Sequence, residues 1–377
     1  MNSRERILTA LNFQQTDRLP YSMLLANFFL ESLDKQGHSK DYYDAADYIG
    51  CDIIKRHVPA VVPEYKNVEV RTEKHGEDIH NIFITPYGEL RQIRYFHDGT
   101  QTVRKKFIEN VEDIKKYIYL ANNTFYRKNF ECFYEEDKRI GDRGIASASA
   151  PMTPLLECVQ MLMGLETTTY TMFDDEDLMQ ELFDAMHQRN LRCYELLSDL
   201  DCEAFIAYED TSTTLINKCW MSEIVNVQLN EYAEILHGNG KRYIVHMCGK
   251  LKGFQTEIRE LTCDGFDSVC PPTTGDIHLW EAKKNSPDKI FIGGLEPPML
   301  ATAPVEKLLS ETCNIINHIA GEKGIILSSG DSVAYGTPID NLKAIADFIK
   351  FLGEDSLKGG IEQKHIQMFL NKNKEKM

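Results

Sequence analysis

From residue 144 onward the apolar positions fall into a repeating order. A short run of β-type residues is followed by a longer stretch with apolar positions three and four apart. The short runs at 144–149, 204–208, 243–247, 266–270, 289–292 and 324–328 predict strands. The stretches at 154–164, 176–200, 221–237, 250–261, 277–284, 305–320 and 341–352 predict the helices between and after them. Two further strands are expected at 21–25 and 51–54, with helices at 3–13 and 41–49. Strands that alternate with helices indicate parallel βαβ units. About eight strands, with no glycine-rich dinucleotide fingerprint after any of them, predict an α/β fold of the (β/α)8 TIM barrel kind. One segment breaks the rhythm. Residues 68–72, 79–84 and 90–95 alternate apolar and polar, with a turn at 86–89, so an antiparallel β insertion of about three strands is expected at about 64–100. Helices at 111–117 and 123–139 follow it, and the lysine-rich tail after 352 is expected to fray. Residues 1–377 are thus expected to form one barrel domain with N-terminal helical and antiparallel elaborations.

Charge and cysteine usage narrow the function class. A net charge of −16 opposes a nucleic-acid surface, which needs clustered Lys and Arg. No apolar run approaches the roughly 18 residues of a membrane span. The first residues carry charges and no apolar signal core, and the 10 cysteines form no CxxC pair, so a cytoplasmic protein with reduced thiols is expected.

The candidate chemistry lies at predicted strand ends, where barrels of this kind place their sites. His246 and Cys248 stand two apart, so a strand presents them on one side. Imidazole and thiolate are zinc ligands, and a catalytic zinc takes three protein ligands. The competing explanation is a buried thiol beside a core histidine. Asp331, Cys270 and Glu209 each end another strand and are candidates for the third ligand, with Asp331 preferred. Glu209 and Asp210 are the candidates for acid–base work. Cys263 and Cys313 fall in or beside helix patterns and are expected to be structural.

Several segments together resemble the uroporphyrinogen decarboxylase superfamily: residues 3–11 (SRERILTAL), 17–20 (DRLP), His246-x-Cys248-Gly249, 293–297 (GGLEP) and 336–341 (GTPIDN). The resemblance implies a (β/α)8 barrel. The stretch 23–29 (MLLANFF) lacks the arginines with which the true decarboxylases hold substrate carboxylates. The chain is more similar to the corrinoid-dependent methyltransferases of the same fold, whose zinc pattern is His-x-Cys plus a distant Cys. Here Asp331 stands in that distant place. A carboxylate in place of a thiolate leaves zinc a harder Lewis acid, suited to an oxygen or nitrogen of a methyl donor. What the resemblance implies is a zinc-dependent methyltransferase. It would move a methyl group from a small methylated substrate, such as a methoxylated aromatic, to a corrinoid carrier protein. A decarboxylase, or a barrel that only binds a small molecule, is the alternative. A homodimer is among the expected assemblies.

Overall fold

Seven short strands rich in Ile, Val, Phe and Ala pair side by side in chain order, and every neighbouring pair is parallel. In the computed structural model, which describes residues 1–97 and 100–374, they are separated by helices on one side of the sheet. The first is β1 (Ile53–Val58). Between it and the next come β2 (Val61–Tyr65), β3 (Glu69–His75), β4 (Asp78–Thr85), β5 (Gly88–His97), β6 (Thr100–Lys105) and β7 (Thr124–Lys128). The sheet continues with β8 (Gly144–Ala150), β9 (Ala204–Tyr208), β10 (Arg242–His246), β11 (Gly265–Val269), β12 (Ile290–Leu295) and β13 (Ile325–Ser329). The space between the two edge strands is spanned at Tyr21. It bridges Leu327 of β13 in parallel, and its carbonyl accepts from the Asp52 amide just before β1 at 2.7 Å.

Alternation along each strand sorts its side chains into two cores. Phe205, Ala207, Tyr243, Val245 and Phe291 face the helix layer and join the large core. Ile54, Ile145, Ile206, Ile244, Ile292 and Ile326 face the inside of the curl and form a separate, smaller cluster. The helix Ser3–Leu11 stoppers that cluster with Ile7, Ala10 and Leu11. Its Arg6 is locked beside the sheet edge. Nη1 donates to Asp52 at 2.7 Å and Nε to Asp17 at 2.6 Å, while Arg18 donates to the same Asp52 at 2.9 Å. The N-terminal motifs that carry the family resemblance therefore act structurally, holding the stopper against the segment that spans the two edges.

Four parts differ from expectation. The insertion is a four-stranded antiparallel sheet, β3-β4-β5-β6, whose last strand the alternation pattern missed because Thr100–Lys105 is polar and mostly exposed. Residues 123–139 are not one helix. Thr124–Lys128 pairs with β2 as an antiparallel strand, and the helix begins only at Phe130. Tertiary pairing overrode local pattern there. The tail does not fray at 352: Gln363–Lys374 is helical, and its Ile366 and Phe369 are buried in the large core. Residues 98–99 of the insertion and 375–377 of the tail lie outside the described residues. Of the two strands expected near the N-terminus, 51–54 corresponds to β1, whereas 21–25 contributes only the bridge at Tyr21.

Candidate functional site

Above the isoleucines, the inner face of the curl turns polar. On β10, Ile244 is followed on the same side by His246 and then, past the strand end, by Cys248. On β9, Ile206 is followed by Tyr208 and then Asp210. Asp210 has φ +43°, a left-handed conformation that Asp tolerates better than most residues. It brings the carboxylate back over the strand ends, with Oδ1 3.6 Å from His246 Nε2 and accepting from Cys248 Sγ at 3.5 Å. Asp210, His246 and Cys248 thus offer one oxygen, one nitrogen and one sulfur, all within 4.8 Å of one another. The loop after β10 is held against the loop after β9. Lys250 N donates to Ser212 Oγ at 3.1 Å, and a Cβ on Gly249 would lie 2.4 Å from that of Ser212. Only glycine lets the two loops approach so closely.

One layer deeper lies an ion pair that the sequence reading did not single out. Arg56 of β1 donates to both carboxylate oxygens of Asp267 of β11, at 2.9 and 2.6 Å. Asp267 Oδ2 also lies 2.8 Å from His246 Nδ1. Both ions are buried, with 2% and 0% of their side chains exposed. Register shifts in β1 after Lys55 and in β11 after Phe266, with left-handed His57 and Ser268, mark bulges next to the pair. Bulges of this kind re-aim side chains beside functional sites. Burial would raise the Asp267 carboxyl, but Arg56 and His246 outweigh it and hold the group well below the usual carboxylate range. A carboxylate fixed on Nδ1 orients the ring and leaves Nε2 for a ligand, the arrangement that braces metal-bound histidines. The only hint in the sequence was a charged residue in an otherwise apolar strand pattern, residues 266–270.

The cluster opens on a cavity of about 530 Å3, lined also by Gln160, Tyr208, Lys250 and Asp331. Tyr208 stacks between His246 and His57, with ring centroids 4.1 and 3.8 Å apart. Tyr208 and Ser332 also line a second chamber of about 370 Å3, whose other walls include Met23, Leu24, Leu25 and Leu30. Burial, with Asp331 and Asp210 nearby, keeps the Cys248 thiol far above its ordinary value. The donor set fits a soft-to-borderline cation such as zinc. Three converging donors include a thiol that needs a positive charge to ionise, and the imidazole is already braced from behind.

The structure separates the remaining candidates. Asp331 faces the cavity and Cys248, but it is not one of the three mutually close donors; its Oδ1 accepts from the Ser332 amide at 2.5 Å. Burial raises its carboxyl above the usual range. Cys270 is fully buried, packed where a Cβ on Gly330 would meet its sulfur at 2.6 Å, and it does not line the cavity. Glu209 does not reach the cluster. It shares the outer side of β9 with Phe205 and Ala207, and it accepts from the Thr153 amide and hydroxyl at 2.9 and 2.6 Å. Burial pushes its carboxyl up to about 8 despite those bonds. A raised carboxyl contributes stability that is complete below the unfolded value near ~4.3 and is lost as pH rises through the folded value. Glu209→Gln is therefore expected to take up zinc as wild type does when the metal is supplied, and to lose less stability than wild type between about pH 5 and about pH 8, as urea midpoints at several pH values would show. Weaker zinc uptake by Glu209→Gln than by wild type would make this residue a ligand after all. Cys263 and Cys313 are buried away from the cavity.

A curled sheet of seven parallel strands, with polar groups gathered at their C-terminal ends, defines an α/β protein of TIM-like architecture. The sequence profile of the uroporphyrinogen decarboxylase (URO-D) family matches residues 94–351, more than half of the chain, and the protein belongs to that family. A solved structure of a methyltransferase from Methanosarcina mazei is similar with a TM-score of 0.62 at 13% identity, over 93% of this chain and 98% of that chain. At that identity the likeness speaks for the fold. No curated protein matches the chain. No described helix is long and apolar enough to cross a membrane.

Proposed function

We propose that this protein is a zinc-dependent methyltransferase. It takes a methyl group from a small methylated compound, such as a methoxylated aromatic, and passes it to a corrinoid on a carrier protein. One observation carries the proposal: the oxygen, nitrogen and sulfur of Asp210, His246 and Cys248 converge within 4.8 Å, with His246 braced by Asp267. Those three residues would hold zinc, which when bound would supply Lewis acidity toward an oxygen or nitrogen of the methyl donor. Asp210, assigned from sequence to acid–base work, thereby takes the ligand place that Asp331 was expected to fill. Asp331, which lines the same cavity beside Cys248, would deliver a proton to the departing group. The chamber beside Tyr208, with Met23, Leu24, Leu25 and Leu30 among its walls, is suited to the body of the donor. Likeness in fold to a methyltransferase supports the same activity.

The decarboxylase alternative is less well served. The cations lining that chamber are already engaged, Arg56 by Asp267 and Lys55 by Glu136. A substrate bearing several carboxylates would find no free clamp there. Closure of the curl into a full (β/α)8 barrel, with the segment around Tyr21 in the eighth place, belongs to the same proposal, as does a cytoplasmic location.

The test mixes zinc-loaded protein with reduced free cobalamin and a panel of methoxyphenols and methylamines, following the absorbance change of the corrinoid on methylation. Methylation that depends on both protein and one donor class is expected. Demethylated product formed equally well without any corrinoid would overturn the acceptor, and evolution of carbon dioxide from a carboxylic acid would overturn the reaction class.

A further inference from the structure

A third cavity, of about 280 Å3, lies between the antiparallel strands and the helices Val111–Asn122 and Glu176–Leu197, and it shares no lining residue with the two chambers at the strand ends. One wall is aromatic. Phe83 sits between Tyr65 and Phe107, with ring centroids 5.2 and 5.4 Å apart. Tyr126 and Leu120 continue that wall.

The polar lining consists almost wholly of donors. Arg189 and Glu157 are both present, but they neutralise each other: Arg189 donates to both Glu157 oxygens, and Tyr117 donates to one of them. Arg94 is different. Its half-buried guanidinium donates only to the amide oxygens of Gln92 and, at 3.5 Å, Gln101, and no carboxylate among the described residues pairs with it. Burial alone pulls it below the usual arginine value. Gln92 is 1% exposed and lines the cavity, and its amide nitrogen donates to no described residue. The hydroxyls of Tyr65 and Tyr126 likewise make no hydrogen bond to a described residue. A partly buried cation without a counter-ion gains by pairing with an anion, and unpaired donors around one cavity mark a place for an acceptor. The volume, just below the usual range of about 300–1,000 Å3 for ligand sites, limits the occupant to one ring.

We infer that this cavity binds a single-ring aromatic carboxylate, with its ring against Tyr65, Phe83 and Phe107 and its carboxylate held by Arg94 and Gln92. Guanidinium matches a carboxylate in planar, two-point geometry, and the ring faces match a flat apolar body.

Benzoate is the probe, and benzamide is its uncharged equivalent of the same shape, both titrated calorimetrically into the full-length protein. Benzoate is expected to bind one per chain and at least about tenfold more tightly than benzamide, the worth of a hydrogen bond to a charged group. Arg94→Gln is expected to abolish that preference, whereas Arg91→Gln, on the same strand but outside the cavity lining and paired with Glu89, is expected to keep it. Equal affinity for benzoate and benzamide, or unchanged benzoate affinity in Arg94→Gln, overturns the site. So does an affinity that follows Asp210→Asn instead, because benzoate would then occupy the metal-side cavity. Equal affinity in the unmodified protein overturns the site without any variant, and Asp210→Asn tells the two cavities apart, so the test stands even where Arg94→Gln folds poorly.

Discussion

Replacing His246 and Cys248 together by Ala is expected to reduce bound zinc from about one per chain to near zero, since two of three donors are gone. The single variants divide the labour further. Asp210→Asn is expected to weaken zinc strongly, because the carboxylate lies within 4.8 Å of both other donors. Asp331→Asn is expected to retain the metal and to slow methyl transfer by a factor of roughly a hundred or more, the range of general acid catalysis. Cys263→Ala and Cys313→Ala, whose thiols are buried elsewhere, are expected to change neither. Elemental analysis after dialysis against a weak chelator reads the metal, and the absorbance change of the corrinoid reads the rate. Full zinc loading in the His246→Ala/Cys248→Ala protein would show that the cluster is not the metal site. Retention in Asp210→Asn with loss in Asp331→Asn would return the third place to Asp331.

Asp267→Asn is expected to cost about 3–5 kcal/mol of stability, because breaking a buried ion pair from one side leaves the other charge uncompensated. Here the stranded charge is Arg56, with 2% of its side chain exposed. The pH dependence follows from the direction of the Asp267 shift. A depressed carboxyl contributes stability that is present above the unfolded value, near ~3.9, and is lost as pH falls through the lower folded value. The stability gap between wild type and Asp267→Asn should therefore be flat near neutrality and close progressively below about pH 4. Arg56→Met/Asp267→Leu, which removes both charges, is expected to be less destabilised than Asp267→Asn. Zinc gives an independent readout: with Nδ1 of His246 no longer held by a carboxylate, affinity is expected to fall about 10- to 100-fold. A variant as stable and as tightly metallated as wild type would mean that the pair neither supports the interior nor braces the ligand.

Much of the fold was legible because parallel βαβ units repeat one pattern. Ala204–Tyr208 was read to the residue, and β10 to within one. The antiparallel part was harder. β2 and β7 are stabilised by each other and not by their own alternation, so the pattern at 124–128 read as helix.

At the site, the i, i+2 rule placed His246 and Cys248 together correctly. The same rule applied to β9 separates Tyr208 and Asp210 from Glu209, which points outward with Phe205 and Ala207. Ranking Glu209 beside Asp210 by their shared strand end overlooked that parity. The sequence by itself determined the parallel α/β architecture and two members of the donor cluster, because both follow from short-range periodicity and the chemistry of single side chains. Only the tertiary structure decided the third donor, because the left-handed turn at Asp210 swings its carboxylate over the neighbouring strand. It also decided the brace behind His246, because Arg56 and Asp267 lie 211 positions apart in the chain and meet only when the sheet curls.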